Sequence, residues 1–532
     1  MRAPRAFYRA CRSRRSGIVL VLVLIVVMII ALAGFSFVEL MLTENKATHL
    51  HTDELRLQHA LGSGVEYLKL HLEQPLIAQS QTGGTLDNPT AFRAVSLAAD
   101  DRRSNTPRHD ACFSIVTGNG TFGPEGGIRF GVENESGRLH LAALLRWEEQ
   151  QPGSGRTALL KFPGMTEATA DAILDWIDAD TQPRAMGAES DYYAGIEPAY
   201  VPRNGLPDCL EELLLVKGVT RELLFGADAN YNYQLDPEEL VPARTGTRNG
   251  GGTRAAVPSV EAVPWATLLT LYSGQRNVTS EGQPRIDLNE MNLTTLQQQL
   301  GAAVDANWAA FIVAYRQFGP YGGSTAAVPG PPQVTPSAPP KFTISSVLDL
   351  AGAKVAIPGS NPQQPPKIHA SPLAADPAAM AQHLPKLMEK TTVVKLPVIR
   401  GCVSVNHAPR AVLRAVPGVD DSLADRILAA RDAQSSGSDS QRTHVTWLLT
   451  EGLVDLETMK KLMPNVCAGG DVVRAQIVAH FSDKGPTARA EVVIDATSRP
   501  ARQIYWRDLR FWGAGYPREW FAADSGFAQR RN

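Results

Sequence analysis

The apolar positions of this chain fall into distinct patterns. Residues 18–38 are uncharged throughout, 21 in a row, and at 1.5 Å per residue they reach roughly 30 Å, the thickness of a bilayer core. Beyond them the apolar side chains thin out but keep a helical beat. Leu50, Leu57, Leu61, Val65, Leu68 and Leu72 recur at spacings of three, four and seven, so one face stays apolar. Proline is absent from 18 to 74. The two stretches predict one helix over 18–74, roughly 85 Å long, half of it in a membrane and half in need of a packing partner.

Period-two alternation marks the partner. Pieces of a sheet appear at 112–118 ("CFSIVTG") and 126–134 ("GGIRFGVEN"), and far downstream at 472–481, 488–497 and 502–512, where the runs alternate and are β-branched between Gly, Pro and Asp, as strands do. More than 300 residues separate the two groups, so the sheet carries a large insertion. The expected fold class is α+β, a pilin-like long N-terminal helix packed on an antiparallel sheet, with a large inserted α-helical domain.

Within the insertion, "RTALLKFPGMTEATADAIL" (156–174) and "RAVLRAVPGVDDSLADRIL" (410–428) align without gaps at an offset of 254. Each reads as helix, Pro-Gly hairpin, helix, a helix-hairpin-helix-like (SAM-like) unit. A looser third copy spans 285–316, where "RIDLN" echoes "CVSVN" at 402–406. Pro- and Gly-rich tracts at 247–258, 319–340 and 358–366 separate the units and cannot pack a core of their own. The expected division is a leader at 1–17, the membrane and spine helix at 18–74, loop and first strands at 75–137 and a first helical domain at 138–245. Linkers with the middle repeat occupy 246–400, a second hairpin unit 401–470 and the C-terminal strands 471–532.

Charge changes the picture at the N-terminus. Arg2, Arg5, Arg9, Arg12, Arg14 and Arg15 precede the apolar run with no acid among them, so the positive-inside rule keeps that end in the cytoplasm and exports the chain beyond Glu39. The run is too long for a secretory signal, whose core is about 7 to 15 residues. Without residues 1–17 the net charge goes from −2 to −8, which disfavours phosphate binding. Cys112, Cys209, Cys402 and Cys467 remain in the exported part. Three pairings are open, and Cys402 with Cys467 is favoured because the two bracket one helical unit.

The leader closes on Gly17, directly before Ile18 and the apolar helix. This junction resembles the prepilin peptidase site of type IV pilins and type II secretion pseudopilins, where cleavage after the glycine leaves the helix as the new N-terminus. An uncleaved single-pass anchor is the alternative. Most of that family carries Glu as the fifth residue after the cut, whereas this chain has Leu22. The regular exception is the minor pseudopilin K (GspK) family, whose members sit at the filament tip, where no subunit above offers an amine to a buried carboxylate. The blocks "LLKFPGMTEATADAILDWIDADTQPRAMGAESDYY", "RNGLPDCLEELLLVKGVT" and "VNHAPRAVLRAVPGV" are similar to that family's helical domain.

The resemblance implies a single-pass inner-membrane protein with a periplasmic body that helps initiate and cap the pseudopilus exporting folded proteins across the outer membrane. Its implied partners are the I- and J-type minor pseudopilins, inner-membrane secretion components, prepilin peptidase and membrane lipid. No enzyme is expected: no nucleophile signature surrounds His407 or His444, and no phosphate loop or HExxH occurs. A reading from another class is a membrane-anchored helix-hairpin-helix protein binding DNA. Such hairpins read Gly-apolar-Gly, and the second glycine lets backbone N–H groups approach a phosphate. Here Thr166 and Asp420 stand in its place, followed by Glu167 and Asp421; these residues cap helices and repel phosphate, so no nucleic acid partner is expected.

Two acidic clusters have the look of cation sites. Asp175, Asp178 and Asp180 stand at the predicted end of a helix, with Glu189 and Asp191 in the next loop. Carboxylates there face the negative end of the helix dipole and repel one another; a hard cation reverses that cost, and Ca²⁺ takes six to eight oxygens. The resemblance adds that the family's helical domain binds calcium, with Asp178, Asp180 and Glu189 in its acidic motif. A solvated acidic loop is the alternative. The second cluster, "DANYNYQLDPEE" (228–239), has EF-hand spacing: Asp228, Asn230, Asn232, the Gln234 carbonyl, Asp236 and a bidentate Glu239. Tyr233 stands where Gly normally supplies a positive φ, which predicts a costlier turn and a weaker site. Structural Ca²⁺ is the expected cofactor.

Overall fold

The computed structural model describes residues 16–97, 110–120, 127–236, 239, 263–359, 364–433, 442–482 and 485–521. The leader arginines, the tract 247–258 and part of the tract 358–366 lie outside these. One helix, α1 (Ser16–Glu73), runs unbroken for 58 residues and stops just before Pro75, which disfavours a helical residue ahead of it. Its two halves differ in what touches them. The large apolar side chains from Ile18 to Val38 are all exposed, whereas Leu57, Leu61, Val65, Leu68 and Leu72 are buried in a core shared with the sheet. Leu50 departs from expectation: it is 66% exposed, because the sheet meets the helix only from Leu57 onward.

The sheet comprises β1 (Val95–Ser96), β2 (Ala111–Gly118), β3 (Ile128–Phe130), β4 (Glu133–Asn134), β5 (Val472–Phe481), β6 (Thr487–Asp495) and β7 (Arg502–Asp508). Its order is β1-β2-β5-β6-β7, with β3 paired to β2 and β4 to β5, and the pairs are antiparallel. The central strand β5 is buried along its whole length. Val473, Ala475, Ile477, Ala479 and Phe481 belong to the core that includes α1. On the opposite face Arg474 and Gln476 are buried too, and their polar atoms need partners from elsewhere in the chain.

Those partners come from the insertion, which leaves the sheet after β4 and returns at β5. Among the described residues it holds three short parallel strand pairs: Leu139–His140 with Leu269–Thr270, Ile286–Asp287 with Thr391–Thr392, and Val403–Ser404 with Val466–Cys467. Each pair closes one helical unit at its base. A single hydrophobic core runs through all three units. The tract 319–340 forms no helix or strand yet is strapped to that core. Gln317 donates through Nε2 to the carbonyls of Thr335 (2.8 Å) and Ala338 (3.2 Å). The fully buried Arg316 donates to the carbonyls of Phe342 and Asn289. Prolines give such a tract few N–H donors, so its carbonyls must be met by side chains.

The described cysteines, Cys112, Cys209, Cys402 and Cys467, are free. The Cys402–Cys467 bridge favoured from spacing is not formed, for a reason of register. Ser404 pairs with Cys467, so Cys402 lies two residues out of step, and the Cys467 thiol rests against the Cys402 carbonyl at 3.8 Å.

Candidate metal centre

The first hairpin of the insertion joins helices Ser154–Leu159 and Glu167–Ile177. Thr166 Oγ1 accepts the Thr169 N–H at 3.2 Å and starts the second helix, in which every residue from Thr169 to Ile177 is buried. At Asp178 the backbone turns to the extended region and the chain leaves the helix. Asp175, one turn back and fully buried, accepts the N–H groups of Arg184 (3.2 Å) and Ala188 (2.8 Å) and the Arg184 Nη1 (2.7 Å). Asp171 accepts the Met186 N–H at 3.2 Å. The two carboxylates fold the 180–189 loop back over the helix end. Gly187 passes so close to Asp175 that a Cβ would overlap its carboxylate.

This folding brings Glu189 to Asp178 and Asp180, with one oxygen from each lying within 4.8 Å of the others. That is the span one ion can bridge at Ca²⁺–oxygen distances of about 2.3 to 2.6 Å. Asp178 Oδ1 and both Glu189 carboxylate oxygens are buried without a hydrogen-bond partner. Buried polar atoms left in that state are rare and costly, and a hard cation supplies what they lack. Burial pushes the Asp178 carboxyl up against the pull of Arg184, whose Nη1 reaches its Oδ2 at 2.5 Å. Burial first, then the charges of Asp175 and Asp178, pushes Glu189 up as well. The donor set, all carboxylate oxygen, suits Ca²⁺ and not a soft metal.

Two residues of the cluster expected from sequence stand apart. Asp175 is taken up by N–H donors, and Asp191 is exposed in the first turn of helix Ser190–Ala194. One residue was missed: Asn204, whose Nδ2 donates to the Asp180 carbonyl at 2.8 Å while its Oδ1 is buried and unpartnered. The Asn-Gly pair at 204–205 was its only signal.

The loop 228–239 is arranged differently. Asp228 accepts the N–H groups of Asn232 (3.1 Å) and Tyr233 (2.9 Å), and Glu239 those of Ala229 (2.8 Å), Asn230 (3.3 Å) and Asp236 (3.0 Å). Asp236 Oδ2 accepts from the side-chain amides of Asn230 (2.7 Å) and Asn232 (3.0 Å); the Gln234 N–H goes to Asn232 Oδ1 at 2.8 Å. The carboxylates thus close the loop on its own donors. Burial lifts the Asp228 carboxyl to about 6. Tyr233 does take the positive φ, +63°, and its ring packs on the sheet core beside Gly118.

This loop also supplies the partners that the buried polar face of the sheet requires. Gln476 Nε2 donates to the Tyr231 carbonyl at 2.6 Å, and the fully buried Arg489 to the Asn230 carbonyl at 2.8 Å. Nearby, Arg474 Nε meets the wholly buried Glu135 at 2.5 Å and its Nη1 meets Glu491 at 3.1 Å. Arg507 bridges Glu211 of the insertion to the sheet. The helical insertion is therefore keyed to the sheet by buried charge and amide pairs.

At the hairpins, Asp420 Oδ1 caps the Leu423 N–H at 2.7 Å, and Asp421 and Asp425 pair with Arg414 and Arg410. In each hairpin a side chain thus takes one N–H of the second helix's first turn, Thr169 by Thr166 and Leu423 by Asp420. His407 Nδ1 lies 2.9 Å from Ser404 Oγ and His444 lies 3.4 Å from Glu389.

Residues 137–225 match the family model described as type II secretion system (T2SS), protein K. No curated protein matches the chain. The crystal structure of the GspK-GspI-GspJ complex from the enterotoxigenic Escherichia coli type 2 secretion system aligns over 86% of this chain and 98% of its own, at 10% identity and a TM-score of 0.36, too distant a likeness to carry anything over. The helical unit that builds the acidic cluster is thus the part of the chain that is similar to the type II secretion system protein K family.

Proposed function

We propose that the chain is a minor pseudopilin at the tip of the type II secretion pseudopilus, processed after Gly17, which helps initiate the filament and so the export of folded proteins across the outer membrane. The observation that carries this reading is the family match over 137–225 on a chain whose spine is bare along its first half and seated on a sheet along its second. A bare apolar half needs lipid before assembly and neighbouring helices after it; those neighbours are I- and J-type minor pseudopilins. Leu22 fits a subunit with nothing above it. The body lies in the periplasm, anchored in the inner membrane by α1 with its N-terminus in the cytoplasm. Calcium at Asp178, Asp180 and Glu189 is a folding staple, and the chain acts by assembly and not by catalysis.

N-terminal sequencing of the mature protein should begin at Ile18, and Gly17→Leu should block processing. Leu22→Glu should impair secretion, because an unpaired carboxylate in the membrane costs about 2.5 to 3.5 kcal/mol. A variant that assembled and secreted better than wild type would move the protein from tip to shaft, and a mature chain starting at Met1 would leave a plain anchor.

A further inference from the structure

Arg184 stands inside the acidic cluster. Its Nη1 lies 2.7 Å from Asp175 Oδ1 and 2.5 Å from Asp178 Oδ2, so one nitrogen serves two carboxylates. The two are unlike. Asp175 is wholly buried and also accepts the backbone N–H groups of Arg184 and Ala188. Asp178 spends Oδ2 on Arg184, and its Oδ1 has no hydrogen-bond partner. Glu189 has none on either oxygen. Of the three carboxylates that approach one another at Asp178, Asp180 and Glu189, the guanidinium thus serves one oxygen of one.

The fold of the loop does not rest on that guanidinium. Main-chain donors turn residues 180–189 over the helix end: the N–H groups of Arg184 and Ala188 on Asp175, of Met186 on Asp171, and of Gln182 on Asp180 at 2.8 Å. What the Arg184 side chain adds is charge. A buried carboxylate without a positive partner is expensive, and a guanidinium never loses its proton inside a protein. The side chain is also 28% exposed, on a long jointed stem that can shift without unpacking the core. A cation seated on Asp178, Asp180 and Glu189 would be its close neighbour, since both bind Asp178, and like charges at short range repel.

We infer that Arg184 is a tethered stand-in for the ion: it gives Asp178 a positive partner before calcium arrives, yields that carboxylate to calcium while keeping Asp175, and so sets how much calcium closes the site. This inference rests on calcium binding at Asp178, Asp180 and Glu189. It makes Arg184 a residue that weakens binding, where a residue that only shapes the loop would strengthen it.

Calcium chloride is titrated by calorimetry into the full-length protein in detergent, as wild type, Arg184→Gln and Arg184→Lys. Arg184→Gln should bind roughly ten-fold more tightly than wild type, and Arg184→Lys, which keeps the charge, should stay close to wild type. Linkage requires the same result in thermal unfolding. Arg184→Gln should melt below wild type in chelator, and calcium should narrow the gap. Binding by Arg184→Gln alone would support the inference in its strongest form. If Arg184→Gln does not fold, a crystal structure of wild type grown with calcium decides: Arg184 should have left Asp178 while still holding Asp175, and an unchanged Arg184–Asp178 pair overturns the inference. Equal or weaker binding by Arg184→Gln overturns it too and leaves calcium binding intact, whereas no binding by either protein removes the calcium site and the inference together.

Discussion

His140 accepts the Ala142 N–H through Nδ1 at 3.0 Å and so caps the helix Leu141–Gln150. The ring can do this only while neutral, and burial followed by the Arg400 charge lowers its pKa to about 4. His407 and His444 are lowered to about 4 as well, by burial first and then by nearby arginines. An unfolded histidine titrates near 6.5, so between about pH 6.5 and 4 the unfolded chain binds more protons than the folded one. The stability these groups contribute is full above 6.5 and is lost as pH falls through the folded values, at about 1.4 kcal/mol per pH unit for each. Thermal unfolding in this window should show that slope. His140→Asn keeps a capping oxygen and removes one titrating group, so its stability should fall less steeply; an unchanged slope would mean His140 titrates normally. None of this was legible in the sequence, where a histidine ahead of a helix has no distinguishing mark.

In the spine helix two glycines two residues apart do opposite things. A Cβ on Gly64 would stand 2.6 Å from Ile477 Cγ2 and 3.1 Å from Phe113, while one on Gly62 would meet nothing within 4 Å. Gly62→Ala should therefore stabilise by about 0.5 to 1 kcal/mol through helix propensity. Gly64→Ala should cost about 1 to 3 kcal/mol by prying helix and sheet apart. Urea midpoints moving in opposite directions would verify the packing, and equal shifts would refute it. The period of apolar residues foretold this helix and the face that packs, because both arise from the 3.6-residue turn. Where the face begins to be covered, at Leu57 and not Leu50, depends on how far the sheet extends, which no local pattern encodes.

At the scale of the molecule, the acidic cluster at Asp178, Asp180 and Glu189 holds buried carboxylate oxygens that repel one another, and calcium would turn this cost into a staple. A ligand that binds only the folded state stabilises it by about 2.7 kcal/mol at a hundred times its Kd. Chelation should lower the melting temperature of the detergent-solubilised protein, calcium should restore it, and magnesium should restore little. Glu189→Gln gives the sharper reading, because its effect should change sign. In chelator it relieves a buried charge and should raise the melting temperature, whereas in calcium it removes a ligand and should lower it. A shift of the same sign in both media would refute a cation at this cluster.

Periodicity and charge encode the long helix, the strands and their wide separation, the hairpins with their Pro-Gly turns, and the acidic motif. Each is a local pattern imposed by backbone geometry or by the need to bury one face. The tertiary structure alone decided which polar groups are satisfied by what. The Asp228 to Glu239 loop spends its carboxylates on its own N–H groups and offers its carbonyls to Gln476 and Arg489, more than 200 residues away. Gln317 straps down a tract that composition alone marks as a linker, and Arg431 is left with an N–H that nothing meets. Hydrogen-bond satisfaction is a property of the whole packed chain, since a donor's partner is set by what folding brings beside it and not by its neighbours in sequence.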